Sequence, residues 1–324
     1  MSKSKKQIGL IGAGAWGKNH LRNLHQLGVL NCVLETSAEI IKLRKSEYPD
    51  LEFVKTLENF LKKDEIKGVV IAAPAELHYE LTKKALLAGK DVLVEKPLAL
   101  NVKEGEELVN LAAENNRILM VGHILQYHSA VIKLKEMIDN GDLGRIRYIY
   151  SNRLNIGKLR TEENVLWSFA PHDISLIIML MNGEGPSNVE AHGGSYLNND
   201  IYDTTLTTLE FKNGVKGHVF VSWLHPFKEQ KLVVVGSEKM VVFDDMSKEK
   251  LFIYPHKIKW EKGKIPVAKK EEFITLDLEL KQPLEEELKH FIHCIDIRSN
   301  PKTDGHEGLT VLKVLEEAQN KLKN

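Results

Sequence analysis

The chain has 324 residues, with 45 lysines and arginines balanced by 45 aspartates and glutamates, so its formal net charge is zero. That balance argues against a general nucleic-acid binder, which needs a basic excess, and the length suggests about two domains. No stretch reaches the apolar length of a membrane span, and the two cysteines, Cys32 and Cys294, lack CxxC or Cys/His metal spacing, so neither a disulfide framework nor a metal site is expected.

The basic start runs into a short strand and a glycine loop rather than an apolar leader, so a cytoplasmic protein is expected. Short apolar runs at 7–11, 31–35, 51–54, 68–72, 91–94 and 118–121 alternate with helical stretches. Such runs are the pattern of parallel strands covered on both faces, and the alternation predicts an α/β, doubly wound sheet. Asn101 with Glu104 marks one helix start, and Gly89 marks the end of another.

Gly12-Ala13-Gly14-Ala15-Trp16-Gly17 is a GxGxxG between the first strand and a helix, with Glu35 closing the next strand. In that context the glycines give a tight turn, a close approach to a pyrophosphate and helix–sheet packing, and the helix start offers its amides to phosphates. A carboxylate at Glu35 suits the adenosine ribose hydroxyls and repels a 2′-phosphate, so NAD is favoured over NADP. After the fourth strand, Ala73 and Pro74 can wall the cofactor crevice, and His78 either contacts the cofactor or packs on the helix it opens.

Glu95-Lys96-Pro97 follows the fifth strand, at the carboxyl edge where open sheets bind ligands. Pro97 disfavours a helical conformation at Lys96, so the lysine is expected extended at the strand tip. It is either a hydrogen-bond donor beside a nicotinamide or a surface lysine.

The character changes after Gly122, so domains at 1–122 and 123–324 are expected. Beyond a helix at 128–140, β-type runs lie at 145–153, 204–211, 216–223, 231–235 and 240–243, with Asn213-Gly214 as a hairpin turn. The lysine-rich 257–270 reads as a loop or meander, and helices at 283–297 and 308–323 close the chain.

Pro171 suits a first helical turn, so a helix is expected to open there and end at Gly183, with His172 in its first turn. The helix dipole would then favour neutral imidazole, as a general base requires; the alternative is a capping or core histidine beside an ordinary first-turn acid, Asp173. Arg153, Lys158 and Arg160 suit a diphosphate or are solvated loop charges. Trp167, Tyr202 and His123 are pocket walls or core, and Asn164 serves a substrate amide or a turn.

These motifs together resemble the glucose–fructose oxidoreductase / inositol dehydrogenase / MocA (Gfo/Idh/MocA) family over essentially the whole chain. The resemblance implies a Rossmann domain followed by an α+β domain whose open, mainly antiparallel sheet makes homo-oligomer contacts in a dimer or tetramer. It implies NAD as cofactor, Lys96 and His172 as catalytic residues, and Glu95 and Lys96 on the cofactor side. Many members carry an aspartate four residues before the histidine. Ser168 stands there instead, which leaves Asp173 or Lys96 to orient the ring. Segments 152–155, 160–164 and 167–173 are similar to UDP-N-acetylglucosamine 3-dehydrogenases. That implies oxidation of the C3 hydroxyl of a nucleotide sugar ahead of a pyridoxal-phosphate aminotransferase of lipid A synthesis, with Lys96, His123, Arg153, Arg160, Asn164, Trp167, Ser168, His172 and Tyr202 toward substrate. The competing readings are an inositol or free-sugar dehydrogenase, an enzyme for the uronic acid form, and a non-catalytic NAD-sensing regulator.

Overall fold

The computed structural model describes residues 6–323 apart from 158, 162, 262 and 264. The basic start at 1–5 and Lys158, both singled out in the sequence, lie outside the described residues. The chain forms two compact units, Met1–Ile124 with Gln282–Leu312, and Leu125–Lys281 with Lys313–Asn324.

In the first unit, strands β1 (Ile8–Ile11), β2 (Leu30–Leu34), β3 (Glu52–Val54), β4 (Gly68–Ile71), β5 (Asp91–Glu95) and β6 (Leu119–Gly122) form one six-stranded sheet in the order β3-β2-β1-β4-β5-β6. Every pairing is parallel. The inner strands are apolar along their whole length because helices cover both faces, which leaves Val69, Val70, Val92 and Leu93 fully buried. The helices are α1 (Gly17–Gln26), α2 (Ala38–Glu47), α3 (Leu57–Leu61), α4 (His78–Leu87) and α5 (Val102–Glu114). The Asn101 side chain caps α5, accepting from the Glu104 amide at 2.9 Å, and Gly89 follows α4 at φ +73°.

Helix α8 (Pro283–Ile297) and the start of α9 (Gly305–Leu322) belong to this first unit, which corrects the expected assignment of 123–324 to one domain. The reason is packing. Helix α8 lies on α1 and buries Leu284, Leu288, Phe291, Cys294 and Ile295. Gly68 makes room for it, since a Cβ there would stand 2.5 Å from Ile295 and 3.2 Å from Phe291. The Val121 amide donates to the Thr303 carbonyl at 2.8 Å, so the segment before α9 runs along the β6 edge.

The second unit holds an eight-stranded mixed sheet built from β7 (Ile146–Leu154), β8 (Asn188–Gly194), β9 (Thr204–Glu210), β10 (Lys216–Ser222), β11 (Glu229–Gly236), β12 (Met240–Asp244), β13 (Leu251–Tyr254) and β16 (Ile274–Thr275). All pairings are antiparallel except β7 with β10. The expected hairpin is present, with Gly214 at φ +83° and the Asn213 side chain accepting from the Val215 amide. Strands β14 (Lys257–Glu261) and β15 (Ile265–Lys269) make a separate exposed ribbon where a loop or meander was expected.

Helices α6 (Ser129–Asp139) and α7 (Val165–Leu180) cover one face of the large sheet, over Ile149, Val219 and Val221. On the other face, Tyr148, Tyr150 and His218 form a half-buried aromatic stack, the last two nearly parallel at 5.3 Å.

Helix α7 begins two turns earlier than its proline suggested. Asn164 is its N-cap, and Pro171 lies inside it. A helix tolerates an internal proline when packing outweighs the lost backbone bond, and here twelve helix residues are buried. His172 is therefore in the middle of α7, which removes the first-turn dipole argument for a neutral ring.

Candidate active site

The glycine loop shows why each glycine is needed. Gly12 turns at φ +87°, and a Cβ there would stand 2.7 Å from the Ala72 carbonyl. A Cβ on Gly17 would stand 2.1 Å from the Gly12 carbonyl, so only glycine lets α1 start against the loop. Gly14 differs: its nearest neighbour would be Ile40 at 4.0 Å, so its missing side chain leaves room for a ligand rather than for the protein. Trp16 gives α1 no side-chain cap, and no acidic residue occupies the first turn. A helix start of that kind is open to phosphate.

Glu35 is buried behind this loop. One carboxylate oxygen accepts from the Ala13 amide at 2.9 Å, and the other from the Thr36 and Ser37 amides at 2.8 and 2.9 Å. A carboxylate has about four acceptor positions, so these donors leave roughly one for a ribose hydroxyl. Arg44, not read as part of the site from the sequence, donates from Nε to the Ala13 carbonyl and pairs with Glu47 at 2.8 Å. Its only sequence signal is the i,i+3 Arg–Glu spacing.

Glu95, which the family resemblance puts on the cofactor side, turns its carboxylate onto Trp16 and His20. It accepts from Trp16 Nε1 at 2.5 Å and lies 2.6 Å from His20 Nε2. Burial would raise the Glu95 carboxyl. The His20 hydrogen bond and charge, with Trp16 and Lys96, more than offset this and hold it below the usual range. His20, absent from the sequence reading, is fully buried; its signal is a histidine on the inward face of an amphipathic helix, beside Leu21 and Leu24. Lys96 itself is half-buried at the end of β5, with a cis peptide to Pro97.

His78 is a strut rather than a cofactor contact. Its Nδ1 lies 2.7 Å from the Pro97 carbonyl and its Nε2 2.9 Å from the Ala73 carbonyl, so the ring ties the loop after β4 to the loop after β5. Pro74 is exposed beside it. His123, read as pocket wall or core, is buried with Nδ1 2.5 Å from Glu307, a pair within the first unit.

In the second unit, Arg153 is buried and bound to Asp173, with Nε 2.6 Å from one oxygen and Nη2 3.2 Å from the other. Its guanidinium is a core ion pair rather than a diphosphate ligand. Asp173, held by Arg153 and Ser151, is likewise committed elsewhere and does not serve to orient His172. Asn164 accepts from the Trp167 amide and donates to Gln319, which also accepts from Trp167 Nε1 at 3.1 Å. Asn164 is thus a cap, and Gln319, too distant in sequence to be foreseen, fixes the Trp167 ring. Tyr202 donates to the Leu322 carbonyl. Arg160 pairs with Glu163 at 2.6 Å and keeps a side chain 43% exposed. Ser168 is buried one turn before His172, which is half-buried.

Residues 6–123 match the family described as an oxidoreductase family with an NAD-binding Rossmann fold, and residues 131–242 match the Gfo/Idh/MocA C-terminal domain. The chain belongs to the Gfo/Idh/MocA oxidoreductase family. It is 25% identical over 312 residues to the UDP-N-acetylglucosamine 3-dehydrogenase of Acidithiobacillus ferrooxidans, covering 94% of each chain. A solved structure of that protein superposes with TM-score 0.85 at 24% identity, covering 98% of this chain and 97% of that one. The inositol 2-dehydrogenase of Gluconacetobacter diazotrophicus is 25% identical over 70% of this chain and 71% of its own. The WlbA dehydrogenase of Bordetella pertussis, solved with NADH and UDP-GlcNAcA, shares the fold at TM-score 0.79 and 21% identity, covering 98% and 96%.

This member of the Gfo/Idh/MocA family is an NAD-binding oxidoreductase, and the family description with the dehydrogenase relatives named above indicates action on a hydroxyl-bearing carbon. The open space at Gly14, the uncapped start of α1 and the Glu35 carboxylate fit NAD. Among the described residues, no helix is long and apolar enough to cross a membrane, and no group of His, Cys, Asp and Glu gathers as a metal site.

Proposed function

We propose that this enzyme oxidises the C3 hydroxyl of UDP-N-acetylglucosamine to the 3-keto sugar nucleotide. What supports this substrate is the end-to-end similarity to a UDP-N-acetylglucosamine 3-dehydrogenase, 25% identical over 94% of both chains, against 22% for a myo-inositol 2-dehydrogenase matched over a similar span. Arg160, 43% exposed in the loop before α7, is suited to the diphosphate. A 3-keto sugar nucleotide is set up for transamination, so a pyridoxal-phosphate aminotransferase is the proposed consumer, as in lipid A synthesis. The half-buried Tyr148, Tyr150 and His218 face is the proposed homo-oligomer surface, and a cytoplasmic location goes with this reading.

The residues have distinct tasks. The Gly12–Gly17 loop and Glu35 hold NAD, and NAD⁺ when bound supplies the hydride acceptor. Lys96 donates a hydrogen bond to the reacting oxygen and stabilises its developing negative charge. His172 accepts the hydroxyl proton. The second reading, an inositol dehydrogenase, has its support in the inositol 2-dehydrogenase relative.

A panel of UDP-N-acetylglucosamine, its uronic acid form, free sugars and inositols, incubated with NAD⁺, separates these readings. Glutamate and a cognate aminotransferase are added to drain the product. Reduction of NAD⁺ with UDP-N-acetylglucosamine and a 3-keto or 3-amino product by mass are expected. Turnover on inositol with none on UDP-sugars sinks the proposal.

A further inference from the structure

Three loops of the second unit meet at one end of the large sheet. Residues 155–164 follow β7, 195–203 join β8 to β9, and 223–228 join β10 to β11. The strand registers set these ends side by side: Leu154 pairs with Ser222 and Glu229, and Thr204 with Ser222 and Gly194. Asp203, buried, ties two of the loops together. Its carboxylate accepts from the Tyr196 and Leu197 amides at 2.6 and 2.9 Å, and its carbonyl accepts from the Trp223 amide at 2.9 Å. The Val165 amide donates to the Tyr202 carbonyl at 3.0 Å, which fastens the 195–203 loop to the start of α7.

These loops leave large apolar side chains in solvent: Ile156, Leu159, Tyr196, Leu197, Leu224 and Phe227 are all exposed. Exposed apolar side chains gathered in one place mark a binding surface. Tyr196 is held in a particular way. Gly194, at the end of β8, has no positive φ, so no turn demands a glycine there. A close approach does. A Cβ on Gly194 would stand 2.5, 2.6 and 2.6 Å from Cζ, Cε2 and Oη of Tyr196. Three nearly equal distances put that position over the ring rather than at its edge. One ring face is therefore backed by β8, as a glycine inside a strand permits, while the residue as a whole stays 72% exposed.

We infer that Tyr196 is the stacking platform for the nucleobase of the substrate. The inference rests on the reading of the substrate as a nucleotide sugar whose reacting hydroxyl meets His172. From Val165, bonded to the Tyr202 carbonyl, to His172 is about 10 Å along α7 at the usual helical rise. Charge sets the direction of the substrate along that span. Arg160, on the loop that enters α7, suits the diphosphate, so the nucleotide runs from His172 toward the start of the helix. The base lies beyond the diphosphate and so reaches the 195–203 loop. An open aromatic face suits any planar base, and a ring already fixed by Gly194 and by the Asp203 bond to its amide loses little freedom on binding.

The test uses the whole enzyme loaded with NADH, so that UDP does not enter the dinucleotide loop. UDP is titrated by calorimetry, and Tm and molecular mass are measured for each variant. Tyr196→Ala is expected to weaken UDP about tenfold, within the range that stacking one base on an aromatic ring supplies, at unchanged mass and nearly unchanged Tm. Tyr196→Phe is expected to bind UDP as the parent does. Gly194→Ala keeps the ring but pushes it off the strand, so it should weaken UDP as Tyr196→Ala does. Parent-like UDP binding in Tyr196→Ala overturns the inference, and turnover of UDP-N-acetylglucosamine by the parent would then leave the substrate reading standing. A fall in mass of Tyr196→Ala with UDP binding intact also overturns it, and assigns the ring to contact with a second copy of the chain. A parent enzyme that binds no UDP and oxidises free sugars or inositol sinks the substrate reading and the platform together.

Discussion

Arg153 on β7 and Asp173 on α7 form a buried two-point ion pair, with Arg153 Nε 2.6 Å and Nη2 3.2 Å from the two carboxylate oxygens. It anchors the turn of α7 that carries His172 to the sheet beneath it. Removing one partner of such a pair leaves a buried charge uncompensated. Arg153→Ala is therefore expected to cost about 3–5 kcal/mol of stability, read from urea melts of the second unit's signal. A loss below about 1 kcal/mol, together with a large rise in KM for the sugar nucleotide, would return Arg153 to the diphosphate role read from the sequence.

Two glycines of one motif are expected to behave oppositely. A Cβ at Gly17 meets the Gly12 carbonyl at 2.1 Å, whereas one at Gly14 meets only Ile40 at 4.0 Å. Gly17→Ala should lower Tm, because the backbone must shift. Gly14→Ala should melt like the parent but bind NADH about tenfold more weakly, or ~1.4 kcal/mol, because the methyl enters the phosphate approach. Equal Tm losses in both would show that Gly14 serves folding instead.

Glu35 braces the loop through Ala13 and also sets cofactor choice. Glu35→Ala should weaken NAD binding and narrow the preference over NADP, since the carboxylate that repels a 2′-phosphate is gone. Dissociation constants for both cofactors check this, and an unchanged ratio removes Glu35 from the discrimination.

Lys96→Ala and His172→Ala are each expected to lower kcat by about 10²–10⁴ with NAD affinity nearly intact. If both serve one proton-and-charge step, the double variant should be little worse than either single. Additive losses would argue that they act in separate steps.

The six parallel strands, the glycine loop and the Lys96 strand tip were legible because each is local: apolar runs, turn residues and fixed spacings within a few positions. What stayed hidden was set by partners far along the chain. Nothing near Trp167 announces Gln319, and nothing near Arg153 announces that its guanidinium turns inward to Asp173. The start of α7 was misread because Pro171 is a strong local signal that burial of the surrounding helix outweighs. Neither Glu287 nor His20 belongs to a motif that singles it out. Only the packing of α8 on α1 puts them in the core.

Stability should register the buried acid directly. The Glu287 carboxyl is raised by burial and by Glu95, so above the ordinary carboxyl value of 4.5 the folded protein keeps a proton that the unfolded chain has lost. Folding stability contributed by this group is complete below that value and falls as pH rises toward the folded one, by at most about 1.4 kcal/mol per pH unit. Glutamine does not titrate. The advantage of Glu287→Gln over the parent should therefore be smallest at the ordinary carboxyl value and grow as pH rises above it, measured as the difference between paired urea melts. Because both proteins share every other titrating group, the difference isolates position 287. An advantage that stays constant with pH would mean that the native carboxyl ionises as it does in the unfolded chain.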